Sequence, residues 1–426
     1  MIIRSLNQLR KLKARQYLSP NELVEHQEKK LRKLIYHAYH NVKYYRELFD
    51  SVNLKPGDIV SVSDLCKIPI TEKKNLQQRS DHELIARGTS IKECITKYTS
   101  GSTGHPLKII MNAWERDYQI LLNLYILMEN GFKLNDKLAY IINPFRFPKS
   151  KYWFQNLGIL RREYLSVFDF PDKHSNILKK MNPDIIYGYP SNLTLLAEYI
   201  QRKKISSISP KMVFSVAEAL EPKARDLINS VLGVSTCDIL GTIELGDIAW
   251  QCEHRKGYHV NSDAVIIEYI KDNKPVKLGE EGKIVCTNLF NFTMPFIRYA
   301  VNDLCIPSDR QCDCGRSLPL IEKINGRAND FITLPDGSSV ASCFLVITMQ
   351  NFHDVAHYRV IQENKKQLRI QIVKGRGYCN TTGEKIKNEI ERAVENKLQA
   401  RIEIKDKIER DPSGKIRTVV SHILKD

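Results

Sequence analysis

Between residues 94 and 324, short apolar segments alternate with segments of helical periodicity. Met212–Val216 and residues 283–287 have the length and apolar content of buried strands. Ser191 can cap a helix whose inner face is formed by Leu193, Leu196, Ala197 and Ile200. Because strands that alternate with helices build layered sheets, this pattern predicts an α/β fold.

The character of the chain changes near residues 326–337. Beyond this point apolar residues alternate from Leu368 to Ile372 as in a strand, and residues 401–408 predict another strand. Between the two runs lies an apolar stripe of helical spacing, formed by Ile386, Ile390, Val394 and Leu398. A chain of 426 residues is also too long for one ordinary core. We therefore predict a large α/β domain over residues 1–330 and a small α+β domain over residues 331–426.

The composition excludes several classes of protein. Its 42% hydrophobic and 27% charged residues are typical of a soluble globular chain. The longest apolar stretch, residues 120–128, is too short to span a bilayer, and residues 1–16 lack the features of a signal peptide. We expect a cytoplasmic protein without a transmembrane segment. The basic N-terminal helix leaves weak association with a membrane surface open beside an ordinary surface role.

The formal net charge of +16 has three interpretations. A basic chain can bind nucleic acid, bind a polyanionic small substrate, or simply present a solvated basic surface. No recognisable nucleic-acid-binding motif accompanies the charge, so we expect no nucleic-acid partner.

The sharpest local signal is a glycine- and hydroxyl-rich loop that follows the strand-like residues 94–98, and it consists of Thr99, Ser100, Gly101, Ser102, Thr103 and Gly104. Glycines let such a loop wrap around an anion, while hydroxyls and backbone N–H groups donate to phosphate oxygens. It lacks the Gly-Lys-Ser/Thr ending of a Walker loop. The pattern predicts phosphate binding; the alternative is a polar surface turn.

This loop is one of a series of motifs that runs through nearly the whole chain. The others, in order, are Tyr44-Tyr45-Arg46, Gly188-Tyr189-Pro190-Ser191, Ala217-Glu218, Gly241-Thr242-Ile243-Glu244, Ile297-Arg298-Tyr299 with Asp303, Gly326-Arg327-Ala328-Asn329-Asp330 and Ser413-Gly414-Lys415. The series resembles the AMP-forming adenylating enzymes, and most closely their phenylacetate-CoA ligase branch with its relatives in capsular polysaccharide gene clusters. The resemblance implies a large adenylate-forming domain and a small mobile C-terminal domain. It also implies that ATP activates a carboxylic acid as an acyl-adenylate, with release of pyrophosphate, before acyl transfer to an acceptor such as coenzyme A.

The resemblance assigns roles to residues of the large domain. Glu244 would hold Mg²⁺, which prefers hard oxygen ligands. Asp303 would accept hydrogen bonds from the ribose hydroxyls, and Ala217 with Glu218 would line the adenine site, mainly through backbone. Gly241 and Thr242 would complete the ATP site.

Three further roles follow near and beyond the domain boundary. Arg327 would lie near the ribose and phosphates, and Asp330 would be the hinge. Lys415 would be the catalytic lysine, since an ammonium offsets the negative charge that develops at the α-phosphate.

A separate group of residues has the chemistry of a metal site. Cys252 and His259 lie in one segment, and Cys312 and Cys314 form the one tight pair among ten scattered cysteines. Structural zinc takes four Cys/His ligands, and some relatives carry a similar pairing. We predict one structural Zn²⁺ on these four residues, with His254 as the competing histidine. The alternative is reduced cysteines with a solvated histidine.

Three departures from the family pattern keep other functions open. Leu240 replaces an aromatic residue that stacks on adenine, Ile243 replaces Ser or Thr, and Asn329 replaces an aspartate. The alternatives are acyl or aminoacyl transfer to a sugar or carrier in polysaccharide biosynthesis, and a non-catalytic nucleotide-binding relative. The acid, the final acceptor and the oligomeric state are left open by the sequence.

Overall fold

The structure of the chain is a computed structural model that describes residues 2–99, 107–148, 153–327, 331–336, 339–341, 345–346, 348–349, 351–410 and 416–423. Its helices are α1 (Ile2–Arg15), α2 (Pro20–Asn41), α3 (Lys43–Asp50), α4 (Lys73–Gln77), α5 (Asp81–Leu84), α6 (Ala113–Glu129), α7 (Pro171–Met181), α8 (Pro190–Arg202), α9 (Pro222–Leu232) and α10 (Asn380–Ala393). Its strands up to the middle of the chain are β1 (Ile95–Tyr98), β2 (Lys108–Met111), β3 (Leu138–Ile142), β4 (Arg162–Ser166), β5 (Ile185–Gly188), β6 (Met212–Val216), β7 (Cys237–Thr242), β8 (Gly246–Trp250), β9 (Tyr258–Val260) and β10 (Val265–Lys271). The later strands are β11 (Lys274–Pro275), β12 (Gly282–Asn288), β13 (Tyr299–Ser308), β14 (Leu320–Arg327), β15 (Phe331–Thr333), β16 (Ser339–Ala341), β17 (Val355–Asn364), β18 (Gln367–Lys374), β19 (Gln399–Ile404) and β20 (Val419–Ser421).

A twelve-stranded mixed sheet forms the framework of the large domain. Its order is β11-β10-β12-β13-β14-β9-β8-β7-β6-β5-β3-β4. The run from β4 to β7 is parallel, and the strands from β8 onward pair antiparallel. β3 and β5 are buried along their whole length, as expected for parallel strands covered by helices on both faces. The predicted α/β fold is confirmed.

Helix α2 shows how local sequence sets an element. The Ser19 hydroxyl accepts from the backbone N–H of Glu22 at 3.4 Å, and the Glu22 carboxylate accepts from the Ser19 N–H at 2.9 Å. Pro20 occupies the first helical position, where no N–H is needed. A capping box is therefore present. The apolar face of the helix is also buried: Leu31, Leu34, Ile35 and Ala38.

Helix α8 begins differently from the prediction. Its N-cap is Tyr189, and Pro190 is the first helical residue, so Ser191 lies inside the first turn. Proline is preorganised for that first position, which moves the start of the helix one step earlier. The predicted cap at Ser191 is wrong, whereas the predicted inner face is buried.

The N-terminal helix α1 packs against the rest of the large domain. Leu12 is buried in the same core as Leu122 and Ile126 of α6. The buried carboxylate of Asp263 ties α1, α2 and α6 together by hydrogen bonds or ion pairs with Arg15, His26, Lys30 and Tyr118. One face of α1 therefore packs against the rest of the large domain. Among the helices that the structure describes, none is long and apolar enough to cross a membrane.

The C-terminal part of the chain forms a sheet of its own, in the order β19-β18-β17-β20. α10 covers it, and a separate core contains Val360, Ile370, Ile386 and Ile390. The helix ends at Ala393, so Leu398 of the predicted stripe is buried beyond the helix. The boundary near residue 330 stays a prediction, because residues 328–330 are not among those described.

Candidate active site

The carboxyl ends of β5, β6 and β7 meet at one edge of the large sheet because these strands are parallel. Ser191, Ala217 and Thr242 follow or end these strands, so three of the motifs lie at this edge. Ala217 has a φ of +72°, a conformation that costs free energy for a residue with a side chain. Such strain is found where the backbone must adopt one defined geometry, as at a ligand site.

The carboxylate of Glu218 joins two parts of the chain that are distant in sequence. It accepts from the backbone N–H of Ser191 at 2.9 Å and from the Ser191 hydroxyl at 3.1 Å. It also accepts from the backbone N–H of Ile416 at 3.0 Å. The predicted role of Glu218 rested mainly on its backbone, whereas its side chain here connects the first turn of α8 with the C-terminal domain.

Arg410 makes a second contact at the same place. Its guanidinium donates to the Ser191 hydroxyl at 3.1 Å and to the Asn192 side-chain oxygen at 3.0 Å. Residues 411–415, which include Lys415, lie outside the described residues. The residues on both sides of that segment, Arg410 and Ile416, are therefore held against the carboxyl edge of the large sheet.

Glu244 is buried and held by its neighbours. The Tyr299 hydroxyl donates to its Oε1 at 2.9 Å, and the Asn291 amide donates to its backbone carbonyl at 3.5 Å. The Asn291 side-chain oxygen is buried and has no hydrogen-bond partner within the described residues. The Glu244 carboxylate is the kind of hard oxygen ligand that Mg²⁺ prefers.

Asp303 and Arg327 lie on neighbouring strands. The register of β13 with β14 makes them cross-strand partners. Asp303 is buried, and Asn302 before it has a φ of +66°. The structure thus brings these two motif residues side by side; Asp330, the predicted hinge, lies outside the described residues.

Thr99 closes the base of the predicted phosphate loop. Its N–H donates to the Leu107 carbonyl at 3.0 Å, and its hydroxyl accepts from the Leu107 N–H at 2.9 Å. The remaining predicted loop residues lie outside the described residues: Ser100, Gly101, Ser102, Thr103 and Gly104. These two hydrogen bonds therefore hold Thr99 and Leu107, at the two ends of the loop, next to each other.

Gly241 lies where no larger residue fits. A Cβ at this position would lie 2.9 Å from the Gly246 carbonyl oxygen and 3.0 Å from Oδ1 of Asp247. The Thr242 hydroxyl accepts from the Leu245 N–H at 3.1 Å and so closes the turn toward β8. The glycine of this motif is therefore required for the close pairing of β7 with β8.

The four predicted zinc ligands lie together. Their ligand atoms are all within 4.8 Å of one another, although the two pairs are about 60 residues apart in sequence. Sγ of Cys252 lies 3.6 Å from Sγ of Cys312, and Sγ of Cys314 lies 3.3 Å from Nε2 of His259. These separations suit ligands about 2.0–2.3 Å from a shared tetrahedral ion. Burial lowers the pKa of His259 to about 4, so its ring is neutral at pH 7, while His254 is exposed and outside the group.

Sequence reasoning missed several polar residues beside Gly241. Asp247 on β8 accepts from the Asn123 amide at 2.9 Å, and Gln119 lies one turn before Asn123 on α6. Two polar residues spaced four apart, within the otherwise apolar residues 118–128 of α6, were the available signal. The pairing with Asp247 depends on tertiary structure.

Comparison with known proteins gives a family match in the C-terminal part of the chain and relatives that cover most of its length. Residues 332–422 match the CapK C-terminal domain family. The phenylacetate-coenzyme A ligase of Thermus thermophilus is 24% identical over 363 residues, which cover 79% of this chain and 77% of that protein. These matches agree with the family that the motif order indicates.

Solved structures extend the likeness to the fold of the whole chain. A 2-hydroxyisobutyryl-CoA ligase in its post-adenylation state has a TM-score of 0.78 at 18% identity, with 96% of this chain and 91% of that chain covered. The same ligase in its thioesterification state has a TM-score of 0.65 at 18% identity, with 96% of this chain and 91% of that chain covered. The fold of this chain is therefore closer to the post-adenylation state of that ligase than to its thioesterification state. The chain is therefore similar in sequence to the phenylacetate-CoA ligases, matches the CapK C-terminal domain family over residues 332–422, and shares the fold of a solved CoA ligase.

Proposed function

We propose that the chain activates a carboxylic acid with ATP as an acyl-adenylate and then transfers the acyl group to coenzyme A. The observation that carries this proposal is the meeting of the motifs at one sheet edge, where Glu218 also binds Ile416 of the C-terminal domain. Homology to phenylacetate-CoA ligases supports the same class of reaction. The acid and the use of coenzyme A are parts of the proposal.

In the first half-reaction, a carboxylate oxygen of the acid attacks the α-phosphorus of ATP, and the bond from that phosphorus to the pyrophosphate oxygen breaks. Lys415 offsets the negative charge that grows on the α-phosphate oxygens. Asp303 orients the nucleotide by accepting from the ribose hydroxyls. Glu244 would hold Mg²⁺, which supplies positive charge for the triphosphate.

In the second half-reaction, the thiol of coenzyme A, after loss of its proton, attacks the acyl carbon, and AMP leaves. A rotation of the small domain about the region of Asp330 would separate the two steps. Among the described residues, such a rotation must break the contacts of Glu218 and Arg410 with the other domain. It must also separate His357 from Glu198, which lie 3.2 Å apart, and the Tyr358 hydroxyl from Glu221, which lie 3.5 Å apart. Contacts of this kind contribute little each, which suits a reversible interface.

Acid-dependent exchange of labelled pyrophosphate into ATP tests the first half-reaction. We expect exchange only when a suitable acid is present, because pyrophosphate release is reversible as long as the acyl-adenylate stays bound. The assay should cover aryl, fatty, hydroxy and amino acids, with reactions lacking acid as the control. Intact ATP binding without exchange for any acid would favour the non-catalytic nucleotide-binding alternative.

The match of residues 332–422 to the CapK C-terminal domain favours one alternative acceptor, a sugar or carrier in polysaccharide biosynthesis. Mass spectrometry of the products separates the two. Formation of an acyl-CoA supports the first proposal. Accumulation of acyl-adenylate that coenzyme A does not consume would support the alternative.

We also propose one structural Zn²⁺ bound by Cys252, His259, Cys312 and Cys314. Three thiolates and one imidazole fill a tetrahedral site, which leaves no position for catalysis. The ion would join the segment after β8 to the segment before β14, and thereby brace the sheet beneath the nucleotide site. Metal binding of this kind contributes directly to folding free energy.

The zinc proposal predicts a large effect of Cys312→Ser. We expect about one equivalent of zinc in the untagged protein by elemental analysis and a lower melting temperature of the variant, since one of four ligands is lost. Cys66→Ser is the matched control, because Cys66 is exposed and outside the group. Less than about a tenth of an equivalent of zinc, or full zinc and stability in Cys312→Ser, would contradict the proposed site.

A further inference from the structure

A group of polar side chains lies between β1, α6 and β8, and we refer to Lys97, Gln119, Asn123 and Asp247 as the polar group. Gln119 is buried and the other three residues are half-buried. The ammonium of Lys97 donates to Oε1 of Gln119 at 2.8 Å. The amide of Asn123 donates to Asp247 at 2.9 Å and to the Tyr187 hydroxyl at 3.2 Å. The two pairs are neighbours, because Gln119 and Asn123 are four residues apart on α6.

The polar group borders the nucleotide motif. Asp247 is the cross-strand partner of Gly241, and a Cβ on Gly241 would come within 3.0 Å of its Oδ1. A Cβ on Gly246, which has a φ of +73°, would lie 3.3 Å from Cγ of Gln119. Both glycines bring backbone close to these side chains. An acid whose carboxylate reaches the α-phosphate would extend its other end toward this surface.

The hydrogen-bonding capacity of the polar group is not used up. Gln119 has only 9% of its surface exposed, and its Nε2 has no hydrogen-bond partner within the described residues. Since buried donors without partners are rare and costly, this one points to a missing acceptor. Asp247 supplies an acceptor on the same surface, and Lys97 supplies a second donor.

Burial shapes the charges of this surface. It lowers the pKa of Lys97 to about 8, with help from the charges of Arg146 and Arg116. Burial also raises the pKa of Asp247 to about 6. Near neutral pH both side chains are still largely charged, so a ligand meets a cationic donor and an anionic acceptor a short distance apart.

The tyrosines beside the polar group define the rest of the surface. The Tyr140 ring stacks on Tyr164 with ring centres 5.3 Å apart and lies 4.9 Å from the Tyr187 ring. Aromatic faces accommodate the C–H surface of a carbon skeleton without a charge requirement.

We infer that the polar group selects a hydroxylated carboxylic acid, with a hydroxyl bound between Gln119 and Asp247; this rests on the proposed acid activation. A hydroxyl accepts from Gln119 or Lys97 and donates to Asp247 at the same time. A second carboxylate only accepts, and it would lie against the Asp247 carboxylate. An ammonium only donates, and it would lie against Lys97. A purely apolar acid would leave the polar group without partners.

The inference is tested with acids that share a carbon skeleton and differ in one substituent. Pyrophosphate exchange is compared for the hydroxy acid and its deoxy, amino and dicarboxylate counterparts, across several chain lengths. We expect kcat/KM for one hydroxy series to exceed that of its deoxy counterpart by about 100-fold or more, because a site built around a hydroxyl rejects an analogue that lacks it.

Two variants connect this preference to the polar group. Gln119→Leu and Asp247→Asn should each raise KM for the hydroxy acid about 10-fold or more and reduce the preference over the deoxy acid, with KM for ATP little changed. Asp272→Asn, at an exposed turn position, is the matched control and should keep the preference. An unchanged preference in both variants would overturn the assignment to these residues.

The outcomes separate the inference from the function on which it rests. Exchange with apolar, amino or dicarboxylic acids at equal or higher kcat/KM overturns the hydroxyl assignment and leaves the ligase proposal standing. An absence of exchange with every acid overturns the ligase proposal. In that case thermal shift with the same acids still tests the surface: stabilisation by the hydroxy acid alone supports it, and no selective stabilisation overturns it.

Discussion

Lys415→Ala is expected to slow the formation of acyl-adenylate by about 10²–10³-fold, while acyl transfer from supplied acyl-adenylate to coenzyme A changes by less than about twofold. In the proposed mechanism, the ammonium of Lys415 interacts with charge that appears on the α-phosphate only in the first transition state. Removal of an interaction made only in that transition state lowers kcat for that step and spares the other. Single-turnover measurements of each half-reaction give the two effects separately.

The control for this prediction is Lys407→Ala. Lys407 lies in the same domain, and its side chain is 68% exposed and paired with Glu409 at the surface. It should retain both half-reactions. An equal loss in both half-reactions of Lys415→Ala would mean that the lysine has a structural role.

Asp263→Asn is expected to lower the free energy of unfolding of the large domain by about 3–5 kcal/mol. Asp263 pairs with Arg15 at 2.5 Å and with Lys30 at 2.8 Å, and its side chain is 8% exposed. Loss of the carboxylate would leave these cations near the protein interior without their partner, and it would loosen α1 and α2 from the sheet. The melting temperature measures the effect, and we expect a drop on the order of 5–10 °C.

The same carboxylate predicts a dependence of stability on pH. Burial works to raise the pKa of Asp263, but the hydrogen bond from His26 and the charges of Lys30 and Arg15 hold it well below its usual range. A depressed pKa in the folded state stabilises the fold at pH values above the unfolded pKa of about 4, and this contribution is lost as the pH falls below it. Between about pH 5 and pH 3 the wild type should therefore lose more stability than Asp263→Asn.

Asp50→Asn is the control for Asp263→Asn. Asp50 also pairs with a lysine, Lys55, but this pair lies at the surface. Its replacement should leave the melting temperature nearly unchanged, since exposed pairs are screened by water and salt. Equal effects of the two variants, or an identical pH profile of wild type and Asp263→Asn, would show that the buried cluster is not a major source of stability.

Features that depend on neighbours in the chain could be predicted from the sequence. The capping box at Ser19 involves groups three residues apart, and four of the five residues of the strand Met212–Val216 are apolar. The alternation of strands with helices indicated the α/β class, and the order of the motifs indicated the family. The helix cap predicted at Ser191 was nevertheless wrong, because Pro190 begins the helix one residue earlier.

Features that depend on strand order and register were decided only by the tertiary structure. The Glu218 carboxylate meets the Ile416 N–H almost 200 residues away, Asp263 meets the cations of two N-terminal helices, and Asp247 meets Asn123 across the domain. The four proposed zinc ligands are an intermediate case, since their chemistry was visible in sequence but their separation of at most 4.8 Å was not. Local free-energy preferences act over a few residues, whereas which buried polar groups become partners depends on how the whole sheet is assembled.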